Sequence, residues 1–241
     1  MHSDENGVDA MSEAVTSSPT ADPISQTPLG DQCVEMWGIG WAGDKTLLRL
    51  RGGACVPRMT YLDGDLWLMS PSFFHESLAE RTGAFVVEVA VGVGVSYLPA
   101  GHTTFRRLKK KGGVEADKSY YFANEARVRG KKRIDLRVDP PPDLVIEAVY
   151  THDAGAAVEV WRRFGVPEVW VVDQIGLRFL LLQAGGEYAE SEASAIYPFV
   201  TKAEIYEWVT KSPETPELEW SRQVRQWIQD VLVPRVQRQG G

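Results

Sequence analysis

In the stretch Asp143-Leu-Val-Ile-Glu-Ala-Val-Tyr150, one glutamate interrupts the apolar run that follows Asp143. A run apolar on both faces suits a strand covered on both sides, and an ionised carboxylate in the middle of such a strand is costly unless something compensates it. A metal ion would do so; so would an arginine on a neighbouring strand or a solvated edge. Asp117, at the entrance of the predicted strand Lys118 to Phe122, is the second carboxylate that could act with Glu147. Alone, an aspartate there is ordinary turn chemistry. Together, two carboxylates from strand ends, with substrate phosphate and water, are a common way of holding Mg²⁺. His75-Glu76 opens a predicted helix and is the third candidate, although Glu76 could simply favour the positive end of the helix dipole.

A basic segment surrounds Asp117. Arg106, Arg107, Lys109, Lys110 and Lys111 precede it, and Arg127, Arg129, Lys131, Lys132 and Arg133 follow, in a chain whose formal net charge is -7. Such a run is commonly a solvated face, but its concentration on both sides of the carboxylates points to phosphate contact. The nucleic-acid contacts expected are Arg106, Arg107, Lys109, Lys110, Lys111, Lys118, Lys131 and Lys132. Tyr120, Tyr121 and Phe122 fit core and cross-strand packing better than base stacking.

These residues need elements to position them. Residues 1–31 are polar with few apolar positions and read as a disordered tail. Thr46 to Arg51 followed by Gly52-Gly53 reads as a strand closing in a turn. Asp63-Gly64 between two apolar runs signals a β-hairpin. Ser72 offers an N-cap to a helix running to about Val95, its end weakened by Gly92 and Gly94. Thr103 to Arg106 is a short strand, and Lys109 to Gly113 a solvated turn. Val158 to Phe164 is a helix stopped by Gly165. Val169 to Asp173 and Arg178 to Gln183 are strands, and Thr201–Thr210 and Leu218–Val236 are helices. The expected domains are the tail, a main unit over 32–198 and a helical extension over 199–241.

With 44% apolar and 24% charged residues the composition is globular. The most apolar window, Gly83 to Leu98, is too short and interrupted to span a membrane. Two cysteines exclude a disulfide scaffold, and the start, Met1-His-Ser-Asp-Glu, lacks a secretory pattern, so a cytoplasmic location is expected. The acidic balance argues against a protein that coats nucleic acid indiscriminately.

The order of hairpin, His-Glu helix, Gly-x-Thr-Thr strand, Glu-x-Asp, Pro-Pro-Asp-Leu-Val-Ile-Glu and Gly-Val-Pro-Glu-Val-Trp resembles the Uma2 (DUF820) family, a branch of the PD-(D/E)xK nucleases. The stretches carrying it are Tyr61–Pro71, His75-Glu76, Gly101–Arg106, Val114–Phe122, Ile134–Leu136, Asp139–Glu147 and Gly165–Trp170, within about residues 45–185. The resemblance implies an α/β fold, with a mixed central sheet flanked by helices as in restriction endonucleases. It maps an acidic triad onto Glu76, Asp117 and Glu147, with Asp117 and Glu147 as ligands of Mg²⁺ (or Mn²⁺), DNA as partner and no membrane. A homodimer is left open. In such nucleases a lysine orients the attacking water, but aligning Trp161 with the family's tyrosine puts Ala157 at that position and Ala156 at the preceding aspartate; Val149 stands where relatives are often polar. Lys118, Lys109 or Arg162 are the candidate substitutes. The implied activity is metal-dependent endonucleolytic cleavage of DNA, impaired by loss of the lysine; the alternative is a catalytically silent nuclease fold that binds nucleic acid or a protein.

Overall fold

The computed structural model describes residues 29–211 and 214–239. Two sheets share the structure. The first comprises β1 (Gln32–Met36), β2 (Arg58–Leu62), β3 (Asp65–Ser70), β5 (Thr104–Arg107) and β6 (Gly112–Glu115), in the order β1-β3-β2-β6-β5. The second comprises β4 (Leu98–Pro99), β7 (Lys118–Tyr121), β8 (Leu144–Ala148), β9 (Glu168–Val172), β10 (Leu177–Leu182) and β11 (Tyr188–Ser191), in the order β11-β10-β9-β8-β7-β4. This is the mixed α/β architecture expected: β8 and β9 run parallel, and the other pairs of that sheet are antiparallel.

Parallel neighbours require a crossover, supplied here by α4 (Gly155–Phe164), which follows the short α3 (Glu125–Val128) and β8 in the chain and stops at Gly165 in the left-handed conformation. The alternating faces of β8 then feed two cores. Leu144, Ile146 and Ala148 pack with α2 (Phe73–Val93), α5 (Lys202–Val209) and α6 (Glu217–Trp227). Val145, on the other face, packs with Val160, Trp161 and Phe164 of α4 and with Phe105 and Val114 of the first sheet. Period two places Glu147 on the α4 side with Val145. The chain ends in a π segment, Ile228–Leu232, and α7 (Val233–Gln239), both against α2.

The hairpin forms as expected, Asp63 and Gly64 both having positive φ between β2 and β3. Ser72 caps α2, its side chain accepting from the His75 N–H. Despite its glycines, α2 continues to Val93 and ends at left-handed Gly94.

Three expectations are corrected. Thr46 to Arg51 is not a strand but the end of α1 (Gly40–Arg51). Over the longer window, Trp41, Leu47 and Leu48 recur at helical spacing, and they pack on the cluster of Met59, Tyr61 and Leu66. Secondly, Gly112-Gly113 is a buried strand, not a solvated turn. A Cβ on Gly113 would lie 2.7 Å from the Arg106 side chain, and one on Gly112 3.0 Å from Val160, so the glycines permit close approach. Thirdly, ordered structure reaches back into the expected tail at Asp31, which accepts from the Ser72 N–H at 2.8 Å; residues 1–28 of that tail lie outside the described residues.

Candidate active site

The register of β7 against β8 explains why two carboxylates meet. Lys118 faces Ile146 and Ser119 faces Val145, so one further pair sets Asp117 opposite Glu147. Cross-strand neighbours are about 4.5–5.5 Å apart at Cβ, and like charges so placed repel unless neutralised. Asp117 is only 1% exposed and Glu147 7%.

The two acids resolve the repulsion differently. Glu147 Oε1 accepts from Trp161 Nε1 at 2.6 Å, but burial, then the charge of Asp117, pushes its carboxyl well above the usual range. Asp117 is buried too, yet hydrogen bonding to His75, the charges of His75 and Arg58, and the Ala148 N–H hold it below the usual range. Ala148 N–H reaches Asp117 Oδ2 at 2.7 Å. Thus Asp117 carries the charge and Glu147 retains a proton more readily.

Arg58, at the start of β2, enters between the acids. Its Nη1 pairs with Asp117 Oδ1 and its Nη2 with Glu76 Oε1 at 2.7 Å, and its side chain is 7% exposed. His75 Nε2 lies 3.0 Å from Arg58 Nη1 and 3.1 Å from Asp117 Oδ1. Burial opposes charge on His75, but Asp117, through a hydrogen bond and its charge, and Asp31 through its charge raise the imidazole above its ordinary value. Glu76 is the most accessible of the three acids, with its side chain 35% exposed.

Carboxylate oxygens are donors that Mg²⁺ prefers, and a cation beside Glu147 and Asp117 would relieve their repulsion. The donor chemistry therefore fits a hard divalent ion, which would compete with Arg58 for Asp117. Ala157 lies one helical turn before Trp161 on α4, on the same side of the helix. The cation present among the acids is Arg58, not any of the substitutes expected: Lys118 pairs with Glu80, Arg162 with Glu159 and Glu187, and Lys109 is exposed on a short 3₁₀ turn.

The basic residues do not form one band. Arg106 is half-buried and paired with the buried Asp44 of α1, and Lys131 pairs with Asp139. Lys109, Lys110 and Lys111 are exposed beside the hairpin turn, where Asp63 N–H donates to Lys111 O at 3.0 Å. Arg58 stands at the opposite end of β2, roughly 15 Å away along a five-residue strand. Arg107 is half-buried and Lys132 exposed.

The Uma2 model, described as "Putative restriction endonuclease", matches residues 49–225, more than half of the 241-residue chain. The chain belongs to the Uma2 family. Among solved structures, the chain is similar to a "putative nuclease belonging to DUF820" from Anabaena variabilis, 12% identical with a TM-score of 0.44, covering 64% of this chain and 92% of that one. No curated protein matches. The described Uma2 chain has no helix long and apolar enough to cross a membrane.

Sequence reasoning missed Arg58, Asp31 and His152. An arginine six residues before the hairpin glycine gives no local signal of where it points. Asp31 and His152 meet only through folding.

Proposed function

We propose that the protein is a metal-dependent nuclease acting on DNA phosphodiester bonds, with Asp117 and Glu147 holding Mg²⁺ or Mn²⁺ and Glu76 completing the acidic set. The observation that carries this reading is the opposition of Asp117 and Glu147, with Glu147 pushed up by burial and by its neighbour's charge. Such a bound ion supplies Lewis-acid polarisation of the phosphate and activation of water. His75 and the Ala148 N–H orient Asp117, and Trp161 fixes the Glu147 carboxyl. Arg58 presents a guanidinium beside Asp117 and Glu76, and a preformed donor of that kind stabilises charge developing on phosphate oxygens.

Nicking of supercoiled plasmid tests the reading. The native protein should nick in Mg²⁺ or Mn²⁺ and not after chelation, and Glu147→Gln should reduce the rate by about 10² or more. Equal nicking by the two proteins would refute it. A second reading, a silent DNA-binding module, is favoured by the same Arg58 pairs and by Ala157; it requires DNA binding without nicking under any of these metal conditions.

A further inference from the structure

Beside the acid site, but separate from its carboxylates, three segments remote in sequence bring together Asp31, His75 and His152. Asp31 precedes β1, His75 opens α2, and His152 lies in the loop after β8. One ligand atom from each lies within 4.8 Å of the others, and this is the single group of three or more histidine, cysteine or carboxylate ligands so placed among the described residues. Asp31 Oδ2 is 3.3 Å from His75 Nδ1 and 2.9 Å from His152 Nδ1. With metal–nitrogen and metal–oxygen bonds of about 2.0–2.2 Å, ligand atoms around a tetrahedral ion stand roughly 3.3–3.5 Å apart. The observed spacings need only small adjustment to accept one.

The surroundings are those of a built site. The Asp31 and His75 side chains are fully buried, whereas His152 is 21% exposed and offers an entry path. Asp31 is oriented by the Ser72 N–H on its other oxygen, Oδ1. The two imidazoles lie nearly parallel, 17° apart in plane, and both Nδ1 atoms address the same carboxylate oxygen. His75 has its far nitrogen, Nε2, 3.1 Å from Asp117 Oδ1. A metal-bound imidazole donating its other N–H to a carboxylate is the usual outer-shell arrangement of histidine ligands.

We infer that Asp31 Oδ2, His75 Nδ1 and His152 Nδ1 form a three-ligand site for a first-row transition-metal dication, Zn²⁺ foremost, which meets the acid site at His75 Nε2, 3.1 Å from Asp117 Oδ1 and 3.0 Å from Arg58 Nη1. Two imidazoles and one carboxylate suit zinc, cobalt or nickel rather than magnesium. The ion would take the place of the hydrogen bonds that otherwise join the two histidine Nδ1 atoms to Asp31, since a ligating nitrogen carries no proton. The ion clamps the segment before β1 to α2 and to the loop after β8, and fixes which His75 nitrogen faces Asp117.

Chelator-treated full-length protein, titrated with Zn²⁺ by calorimetry and with Co²⁺ by visible absorption, tests the inference. One equivalent should bind with a low-coordinate cobalt spectrum. That equivalent should weaken at least ~10-fold in His152→Ala and in Asp31→Asn, judged by the loss expected even for an outer-shell partner, and persist in Glu147→Gln. Circular dichroism and melting establish that each variant is folded, and the isosteric Asp31→Asn serves if His152→Ala is not. Absence of Zn²⁺ binding, or binding unaffected by the folded variants, overturns the inference. An equivalent lost only in Glu147→Gln also overturns it, and assigns the ion to the acid site, leaving the nuclease proposal standing.

Discussion

Replacing Arg58 by methionine should make the protein less stable without metal and more responsive to metal. The guanidinium touches Asp117 and Glu76. Breaking a buried ion pair by removing one partner commonly costs about 3–5 kcal/mol. The lower end applies here, because Asp117 keeps His75 and the Ala148 N–H, while the pair with the more accessible Glu76 contributes little. A loss of about 3 kcal/mol corresponds to roughly 6–12 °C in melting temperature for a domain of this size. Mn²⁺ at a hundred times its dissociation constant returns about 2.7 kcal/mol, most of that loss. In the native protein the ion must first displace Arg58 from Asp117, so its melting temperature should rise less than the variant's at equal Mn²⁺. Scanning calorimetry of both proteins, with chelator and across a Mn²⁺ series, measures each quantity. An apo loss below about 1 kcal/mol, or a metal-induced rise at least as large in the native protein, would refute the assignment of Arg58 as resident counter-charge.

Three further outcomes follow. Ala157→Lys places an amine one turn before Trp161 and should raise metal-dependent plasmid nicking by about 10²–10³, with the gain abolished by adding Glu147→Gln; metal binding without such a gain would favour the silent module. Replacing Lys109, Lys110 and Lys111 with glutamine should flatten the dependence of log DNA affinity on log salt by about 0.9 for each phosphate no longer neutralised, whereas equal slopes would make these lysines plain solvated surface. Glu88 of α2 accepts from Arg225 Nε and Nη2 of α6, each at 2.7 Å, and from Ser221 at 3.0 Å; these bonds, Arg225 foremost, lower its carboxyl from the ordinary 4.5 despite partial burial. Its stabilisation is therefore complete above about 4.5 and disappears as pH falls through the lower folded value, so Glu88→Gln should have a shallower acid-melting limb in a pH-dependent denaturation series.

What could be read in advance was what depends on near neighbours in the chain. The Asp63-Gly64 turn, the Ser72 cap and the Gly165 stop are local chemistry and lie where expected. Glu147 was legible because a charge stands out in an apolar strand. The helix ending at Arg51 was misread because Leu-Leu-Arg-Leu-Arg, taken alone, satisfies a strand pattern as readily as a helical one. Gly112 and Gly113 read as turn residues, whereas their role is to let β6 lie close under Val160 and Arg106, a tertiary fact. Arg58 was illegible for the same reason: its partners arrive from α2 and from the start of β7, and no spacing within β2 announces them.

Asp31 makes the boundary of any expressed fragment a chemical variable. β1 begins at Gln32, so a fragment trimmed to that residue keeps every described strand and helix and would pass as the intact domain by circular dichroism. It would nonetheless lack the carboxylate that faces His75 and His152, leaving His75 to answer to Asp117 and Arg58 alone. Activities or metal contents compared between fragments that start on either side of position 31 would differ in the charge set of the site, although their sheets and helices are the same.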